Sequence, residues 1–325
     1  MKRWILLAAL AVPAAAPAVA QQTITEYRIP TAGAFPHDPA VDAAGGVWYT
    51  DQANSRIGRL DPGTGRFTDQ ATPSAGAGPH GIVVAPDGDV WYTGNANGTI
   101  GRRDHATGAI REYRLPRALR DPHTPFLVGA YLWFTVQGAG VIGRLDTASG
   151  DVKIIPVPTR GAHPYGLALA PDGTMWVALF GTNKLAHLVP PDGVLTEVAL
   201  PAADARPRRL VVDEAGIVWY GDYGRGYLGR YDPAARRFNE WRTPAADGAP
   251  YGIALGPDGR VWFNEVRSGA MVAFDRTTHA MTSLEIPTPG AVVRNIAVDR
   301  TRGRIWLAES GVGRLGRIDV PAGGP

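Results

Sequence analysis

The sequence contains no cysteine, which excludes a disulfide-stapled scaffold and any chemistry that uses a thiolate. It also lacks an excess of one charge, since 33 basic residues stand against 30 acidic ones, and so offers no basic stripe for nucleic acid. Beyond the first twenty residues no apolar run is long enough to span a membrane. With 325 residues, 45% of them hydrophobic, the chain is long enough to form a packed globular core.

The first twenty residues have the pattern of a secretory signal peptide. Two basic residues, Lys2 and Arg3, precede a short apolar run, and small residues follow up to Ala20. This order of a basic start, a short apolar core and a small-residue exit predicts cleavage after Ala20. We therefore expect a protein that is exported, either periplasmic or secreted. The mature chain, residues 21–325, is expected to be one monomeric domain.

The rest of the sequence is one unit repeated seven times. Tryptophan recurs every 42 to 44 residues, at positions 48, 91, 133, 176, 219, 262 and 306. Each unit holds four short runs of strand-like residues with period-2 alternation, separated by Gly-rich turns. Four strands in about 43 residues, repeated seven times, predict an all-β, seven-bladed β-propeller with four antiparallel strands per blade.

The two ends of the sequence indicate how the ring closes. The seventh unit ends after three strands, whereas an unattached strand-like segment, Thr23 to Pro30, precedes the first unit. If this N-terminal segment pairs with the last blade, two open sheet edges disappear. We therefore predict that the N-terminal strand completes the seventh blade.

One position in each unit is restricted to three residue types. It follows a residue that is usually Pro, in the loop that enters the first strand, and it often precedes Gly. The first strand of a propeller blade lies nearest the axis, so these residues should surround the mouth of the central channel. They are His37, His80, His123, Tyr165, Arg208, Tyr251 and Arg294.

A second position should lie on the same face, because the first two strands of a blade run antiparallel. The residue three after the repeated tryptophan is a carboxylate in four units, at Asp51, Asp222, Glu265 and Glu309. Such a mouth suits the binding of an anion or an amide, with a histidine as base near neutral pH. The alternative is that these side chains only fill the channel and hydrogen-bond one another.

Three phrases carry a resemblance to a known family. Ile24 to Tyr27, Pro79 to Ile82 and Pro257 to Glu265 resemble the virginiamycin B lyase family of seven-bladed propellers, over essentially the whole mature chain. The resemblance implies a Mg²⁺-dependent carbon–oxygen lyase that opens a cyclic depsipeptide ester by elimination. A histidine would act as base, and the metal would polarise the neighbouring carbonyl group.

The family's site residues are only partly present in their usual blades. The family has histidines at the mouth position of the last two blades, where this sequence has Tyr251 and Arg294. The family's glutamate two residues before the second histidine is Val292, and its first-blade tyrosine is His37. Only Glu309, in the phrase Trp-x-x-Glu, is retained in place.

A register rotated around the ring reproduces more of the family's pattern. Blades two to four offer His80, the pair Asp121 and His123, and Tyr165. We therefore predict His80, His123 and Asp121 as catalytic residues, and Asp121 with Glu309 as ligands of Mg²⁺. The remaining mouth residues are predicted to bind a small molecule or a cyclic peptide, namely His37, Tyr165, Arg208, Tyr251 and Arg294.

Two rival functions remain open at this point. The first is a non-enzymatic propeller that binds a ligand or a protein at its mouth. The second is a lactonase-like hydrolase with a divalent metal in the channel. The hydrolase is the weaker rival because no carboxylate occupies the inner mouth position, whereas divalent metals of this kind take several oxygen ligands.

Overall fold

The computed structural model describes residues 22–191 and 193–321, and the predicted signal peptide lies outside them. Over the described residues the chain forms 28 β-strands in seven four-stranded antiparallel sheets and no helix. The prediction of an all-β, seven-bladed propeller is confirmed. A helix able to cross a membrane is absent from these residues.

The first three blades each consist of four consecutive strands. Blade 1 contains β2 (Pro36–Val41), β3 (Val47–Asp51), β4 (Arg56–Asp61) and β5 (Arg66–Ala71). Blade 2 contains β6 (Pro79–Val84), β7 (Val90–Gly94), β8 (Thr99–Arg103) and β9 (Ile110–Arg114). Blade 3 contains β10 (Pro122–Val128), β11 (Tyr131–Val136), β12 (Val141–Asp146) and β13 (Val152–Pro156).

The next three blades repeat this arrangement. Blade 4 contains β14 (Pro164–Leu169), β15 (Met175–Leu179), β16 (Lys184–Val189) and β17 (Val194–Ala199). Blade 5 contains β18 (Pro207–Val212), β19 (Val218–Asp222), β20 (Tyr227–Asp232) and β21 (Arg237–Arg242). Blade 6 contains β22 (Pro250–Leu255), β23 (Val261–Glu265), β24 (Ala270–Phe274) and β25 (Met281–Glu285).

The seventh blade joins the two ends of the chain. It contains β26 (Val293–Asp299), β27 (Arg304–Glu309), β28 (Arg314–Asp319) and the N-terminal strand β1 (Ile24–Arg28). Strand β1 pairs antiparallel with β28, with Ile24 opposite Ile318 and Arg28 opposite Arg314. The prediction that the N-terminal strand completes the last blade is confirmed, because β28 pairs with β27 on one side and with β1 on the other.

Glycines in the repeated phrases have two structural roles, a turn with positive φ and a close contact with an aromatic ring. Gly88, in the Pro-Asp-Gly turn between β6 and β7, has a φ of +89°, which a residue without a Cβ adopts at little cost. Gly101 lies beneath the ring of Tyr92, and a Cβ at this position would come within 2.0 Å of that ring. In blades 1, 2, 3 and 5 the glycine of the Gly-Arg phrase thus allows the aromatic residue after the repeated tryptophan to lie flat on its own sheet.

Polar side chains tie each inner strand to its neighbour. The Thr135 hydroxyl accepts from the backbone N–H of Thr124 at 3.2 Å and donates to the carbonyl of Tyr165 in the next blade at 2.7 Å. Thr50 and Thr93 form the same two bonds in blades 1 and 2. Each such pin fixes the relative position of two neighbouring mouth residues.

The core lies between the blades, as the repeated tryptophan predicts. All seven repeated tryptophans are buried, and Trp133 of blade 3 packs against Leu167 and Met175 of blade 4. A buried face on both sides of each sheet accounts for the apolar character of the second strands, such as β11 and β15. Burial between sheets therefore positions the inner strands that form the mouth.

The pins give a first testable prediction. Thr135→Val keeps the side-chain shape but leaves the buried Thr124 N–H and Tyr165 carbonyl without their partner. We expect the free energy of unfolding to fall by about 1–3 kcal/mol, measured by urea denaturation. The matched control Thr196→Val, on the exposed face of β17, should change it by less than about 0.5 kcal/mol. Equal effects of the two substitutions would contradict a pinning role.

Candidate functional site

The mouth of the channel is built by the second residue of each inner strand. In every blade the residue before it pairs with the residue three after the tryptophan, for example Pro36 with Asp51 and Pro250 with Glu265. The two sets of predicted positions therefore lie at the same end of the propeller. Five of the seven inner residues are buried, whereas Arg208 and Arg294 are partly exposed.

Five of these side chains stack on one another across the channel. The ring centroids of His37 and His80 lie 3.7 Å apart, those of His80 and His123 4.6 Å, and those of His123 and Tyr165 4.9 Å. Tyr165 lies 6.1 Å from Tyr251. These five rings form an inner layer that fills the channel, as in the alternative considered from the sequence.

A hydrogen-bonded chain runs through the stack. His80 Nε2 lies 3.1 Å from the Tyr165 hydroxyl, which lies 2.5 Å from the Tyr251 hydroxyl. Arg208 Nη2 donates to the same Tyr251 oxygen at 3.3 Å. The chain joins four different blades and ends at a guanidinium group in the mouth.

The three histidines are held neutral. Burial, followed by the guanidinium of Arg209, keeps the pKa of His37 well below its ordinary value. Burial and the neighbouring imidazoles do the same to the pKa of His80. Burial also lowers the pKa of His123, although Asp121 opposes the shift. Neutral imidazoles can accept a proton, which is the state that a general base requires.

His123 has its two ring nitrogens in different environments. Its Nδ1–H donates to the Asp121 carbonyl at 2.6 Å, so Nε2 carries the lone pair. Around Nε2 the polar neighbour is the Asn95 amide, at 3.5 Å. The Asp121 carboxylate itself accepts from the backbone N–H of Gly138 at 2.7 Å. Asp121 therefore orients His123 through its backbone and holds a loop with its side chain.

A buried ion pair crosses the channel at a position that the sequence analysis did not select. Arg209 of blade 5 donates through Nη2 to both carboxylate oxygens of Asp38 in blade 1, at 2.9 and 3.2 Å. His37 Nδ1 lies 2.9 Å from the same carboxylate. Three other blades have Gly at this position of the repeat. An acidic residue in blade 1 and a basic residue in blade 5 at the same position were the sequence feature from which this ion pair could have been predicted.

Most of the carboxylates at the ends of the second strands accept hydrogen bonds from the backbone. Asp51, Asp222 and Glu265 each accept from a backbone N–H in the loop that enters the first strand of the same blade, at 2.8 to 3.0 Å. Asp222 also binds Arg225 Nε at 2.6 Å. These three acids stabilise the mouth loops.

Glu309, the predicted metal ligand, has a different environment from the histidines. Its carboxyl group is buried beside Glu26 on the outer strand of blade 7, and a Cβ on Gly316 would come within 2.3 Å of it. Burial, followed by the charge of Glu26, raises the pKa of Glu309 to about 8. Glu309 therefore belongs to a carboxyl–carboxylate pair that includes a residue of the closing strand.

The chain provides no set of oxygen ligands typical of Mg²⁺ in the part that the structure describes. The family's blades offer a phenol, an alkyl group and a guanidinium at Tyr251, Val292 and Arg294. One group of three potential ligands lies within 4.8 Å, and it consists of His37, Asp38 and His80. Mg²⁺ prefers oxygen over imidazole nitrogen, and Asp38 is already neutralised by Arg209. Neither Asp121 nor Glu309 belongs to such a group.

Fold and mouth together define the class of the protein: a seven-bladed propeller with convergent polar groups at its axis, where small-molecule sites are expected. The sequence model of the virginiamycin B lyase family matches residues 14–241, which is more than half of the chain. The chain therefore belongs to the virginiamycin B lyase family. The match ends within β21, so Tyr251 and Arg294 lie beyond it.

Solved structures show the same fold. The virginiamycin B lyase of Staphylococcus aureus is 23% identical with a TM-score of 0.85, over 92% of this chain and 100% of the other. A catalytically inactive variant of that enzyme, solved with quinupristin, has a TM-score of 0.86 at the same identity and coverage. Hydrazine synthase of Kuenenia stuttgartiensis is 13% identical, with a TM-score of 0.78 over 90% of this chain and 98% of the other. Comparison with curated protein sequences gave no match.

The neutral histidines give a second prediction. As pH falls below the ordinary histidine pKa of about 6.5, the unfolded chain binds protons before the folded protein does. The free energy of unfolding should then fall by up to about 1.4 kcal/mol per pH unit for each such histidine. Denaturation between about pH 8 and about pH 5 measures this slope. His37→Asn should reduce it, and His105→Asn, at an exposed turn, should not. Unchanged slopes in both variants would contradict the assignment.

Glu309 gives a third prediction. Because its folded pKa is raised, the contribution of Glu309 to the free energy of unfolding should be most favourable at low pH and should decrease from about pH 4.5 to about pH 8, where the unfolded chain alone is ionised. Glu309→Gln removes this ionisation and should make the protein more stable than the wild type at neutral pH, with little difference near pH 4. Thermal unfolding at both pH values tests this, with the exposed Glu285→Gln as control. Destabilisation at neutral pH would overturn the assignment.

Proposed function

We propose that this protein is a virginiamycin B lyase-like carbon–oxygen lyase that acts on a small ligand at the channel mouth. The observation that supports this most directly is the environment of His123, whose Nδ1–H is bound to the Asp121 carbonyl and whose Nε2 carries the lone pair, with the Asn95 amide nitrogen 3.5 Å away. Membership of the family supplies the class of reaction.

The proposed step is a proton transfer followed by bond cleavage. His123 Nε2 takes the proton from the carbon next to a carbonyl group, and the electron pair forms the new carbon–carbon double bond. The bond between the adjacent carbon and the ester oxygen breaks, and that oxygen leaves with its electron pair as a carboxylate. Arg208 and Arg294 are positioned in the mouth to stabilise negative charge on the carbonyl oxygen. No step in this scheme uses a metal ion.

The function is tested by incubating the mature chain with quinupristin, the compound named with the solved relative. Elimination opens the ring without a change in mass, whereas hydrolysis adds one water, so mass spectrometry separates the two reactions. We expect a product of unchanged mass, formed equally with Mg²⁺ and with EDTA. His123→Ala should lower the rate by about 10²-fold or more, and His105→Ala should not. Untouched quinupristin, or full activity in His123→Ala, would contradict the proposal.

A non-enzymatic ligand-binding propeller is the second candidate. It is favoured by the inner layer, in which His37, His80, Tyr165 and Tyr251 are buried against one another. In that case quinupristin, or another small ligand, would bind without conversion. Binding measured by calorimetry together with an unchanged ligand after prolonged incubation would select this candidate over the lyase.

A further inference from the structure

The mouth carries two positive charges that no protein carboxylate neutralises. Among the described residues, Arg209 is paired with Asp38 and Arg225 with Asp222, but neither Arg208 nor Arg294 takes part in an ion pair. Both occupy the same phase of the repeat, in blades 5 and 7. Both also contribute to lowering the pKa of His37, after burial and Arg209, so their fields meet in the channel.

Arg208 lies in a cage of aromatic rings. Its guanidinium carbon is 4.0 to 4.9 Å from four ring centroids, those of Tyr165, Phe180, Tyr223 and Tyr251. The side chain makes one hydrogen bond, at 3.3 Å to Tyr251, and its Nε is buried without a partner. A guanidinium whose donors are mostly unused by the protein is available to a charged acceptor.

Arg294 has the same character on the other side of blade 6. Its guanidinium carbon lies 5.4 Å from the ring of Phe35, and its Nε is buried without a hydrogen-bond partner. Deeper in the channel, Arg209 Nε and His80 Nδ1 are likewise buried and unpartnered, and both residues are more than nine-tenths buried. Unpaired buried donors are costly, which favours a ligand that accepts hydrogen bonds.

We propose that the channel mouth binds the carboxylate group of a small organic acid through Arg208 and Arg294, with Phe35, Phe180 and Tyr223 in contact with its apolar part. This names the substrate class of the site described under the proposed function and rests on that site. A carboxylate fits the planar fork of a guanidinium in a bidentate manner. The three aromatic side chains are partly exposed, so an apolar body bound to the acid can reach them.

The same charges argue against a cation at His37, Asp38 and His80. The single carboxylate of that group already neutralises Arg209, and the two free guanidiniums would repel a divalent ion. In this chain the guanidiniums thus replace the metal as the centre that holds an oxygen atom of the substrate.

Binding of an acid should be coupled to proton uptake. The pKa of His37 is lowered by burial and by nearby cations, and an anion on Arg208 and Arg294 offsets part of that effect. The groups that face His37 are Asp38, His80, His123, Arg208, Arg209 and Arg294. Because the bound state then takes up a proton more readily, affinity for the acid should increase as pH falls below the ordinary histidine pKa of about 6.5.

Calorimetry with benzoate and its neutral isostere benzamide tests the proposal. We expect benzoate to bind about tenfold or more tightly than benzamide, since hydrogen bonds to charged groups contribute more than neutral ones. Arg208→Gln and Arg294→Gln should each weaken benzoate binding by about tenfold, and Arg160→Gln, an exposed control, should not. Titration in two buffers that differ in ionisation enthalpy should show proton uptake.

Three outcomes would overturn the proposal. They are equal binding of benzoate and benzamide, benzoate binding unaffected by either substitution, and tighter binding of inorganic phosphate than of benzoate. Arg208→Lys, which keeps the charge but not the planar fork, should retain folding and give intermediate affinity if Arg208→Gln proves unstable. If the unmodified protein binds benzoate through Arg208 and Arg294 but leaves quinupristin unchanged, the proposed function alone is refuted.

Discussion

Closure of the ring by β1 against β28 is the constraint on which the rest of the structure depends. The seven inner strands contact one another around the axis, and each is tied to the next through shared core and hydrogen bonds. Closure also brings together groups from distant parts of the sequence, such as Glu26 and Thr288, whose backbone N–H donates to the Glu26 carboxylate at 2.9 Å. Without this pairing, blade 7 would have three strands with β28 at its outer edge, and the two ends of the chain would not be joined.

A closed ring brings polar side chains together in a small buried volume around the axis. These side chains form two layers that differ in how their charges are compensated. The inner layer contains neutral stacked imidazoles, the two bonded hydroxyls of Tyr165 and Tyr251, and the Asp38–Arg209 pair, with His80 Nδ1 and Arg209 Nε left unpartnered. The outer layer retains Arg208 and Arg294 without acids. Burial of a histidine disfavours its charged form, so the positive charges of the mouth are those of arginine, which stays protonated.

This charge distribution supports the proposed metal-free step, which differs from the Mg²⁺-dependent reaction that the family resemblance implies. The catalytic pair of the family is replaced by Tyr251 and Arg294, and the retained Glu309 is directed at Glu26. A guanidinium can stabilise a developing negative charge on oxygen, as a metal does, provided that water is largely excluded. Four aromatic rings border the guanidinium of Arg208 and shield part of it from water, although the side chain is partly exposed.

Repetition made most of the fold predictable. A tryptophan every 42 to 44 residues, turn glycines and alternating strands are local signals, so the sequence determined seven blades, their order and the closing strand. It also determined which residue types meet at the mouth, because equal phase in a repeat means equal height along the axis.

The tertiary structure alone decided how those side chains pair. Asp38 and Arg209 are 171 residues apart and belong to blades that are not neighbours. Only the closed ring brings Arg209 Nη2 to 2.9 Å from the Asp38 carboxylate. Likewise, nothing in the phrase around Glu309 shows that its carboxyl group is directed at the outer strand. Rotamer, burial and charge at such positions depend on neighbours from other blades, and a single repeat unit does not contain that information.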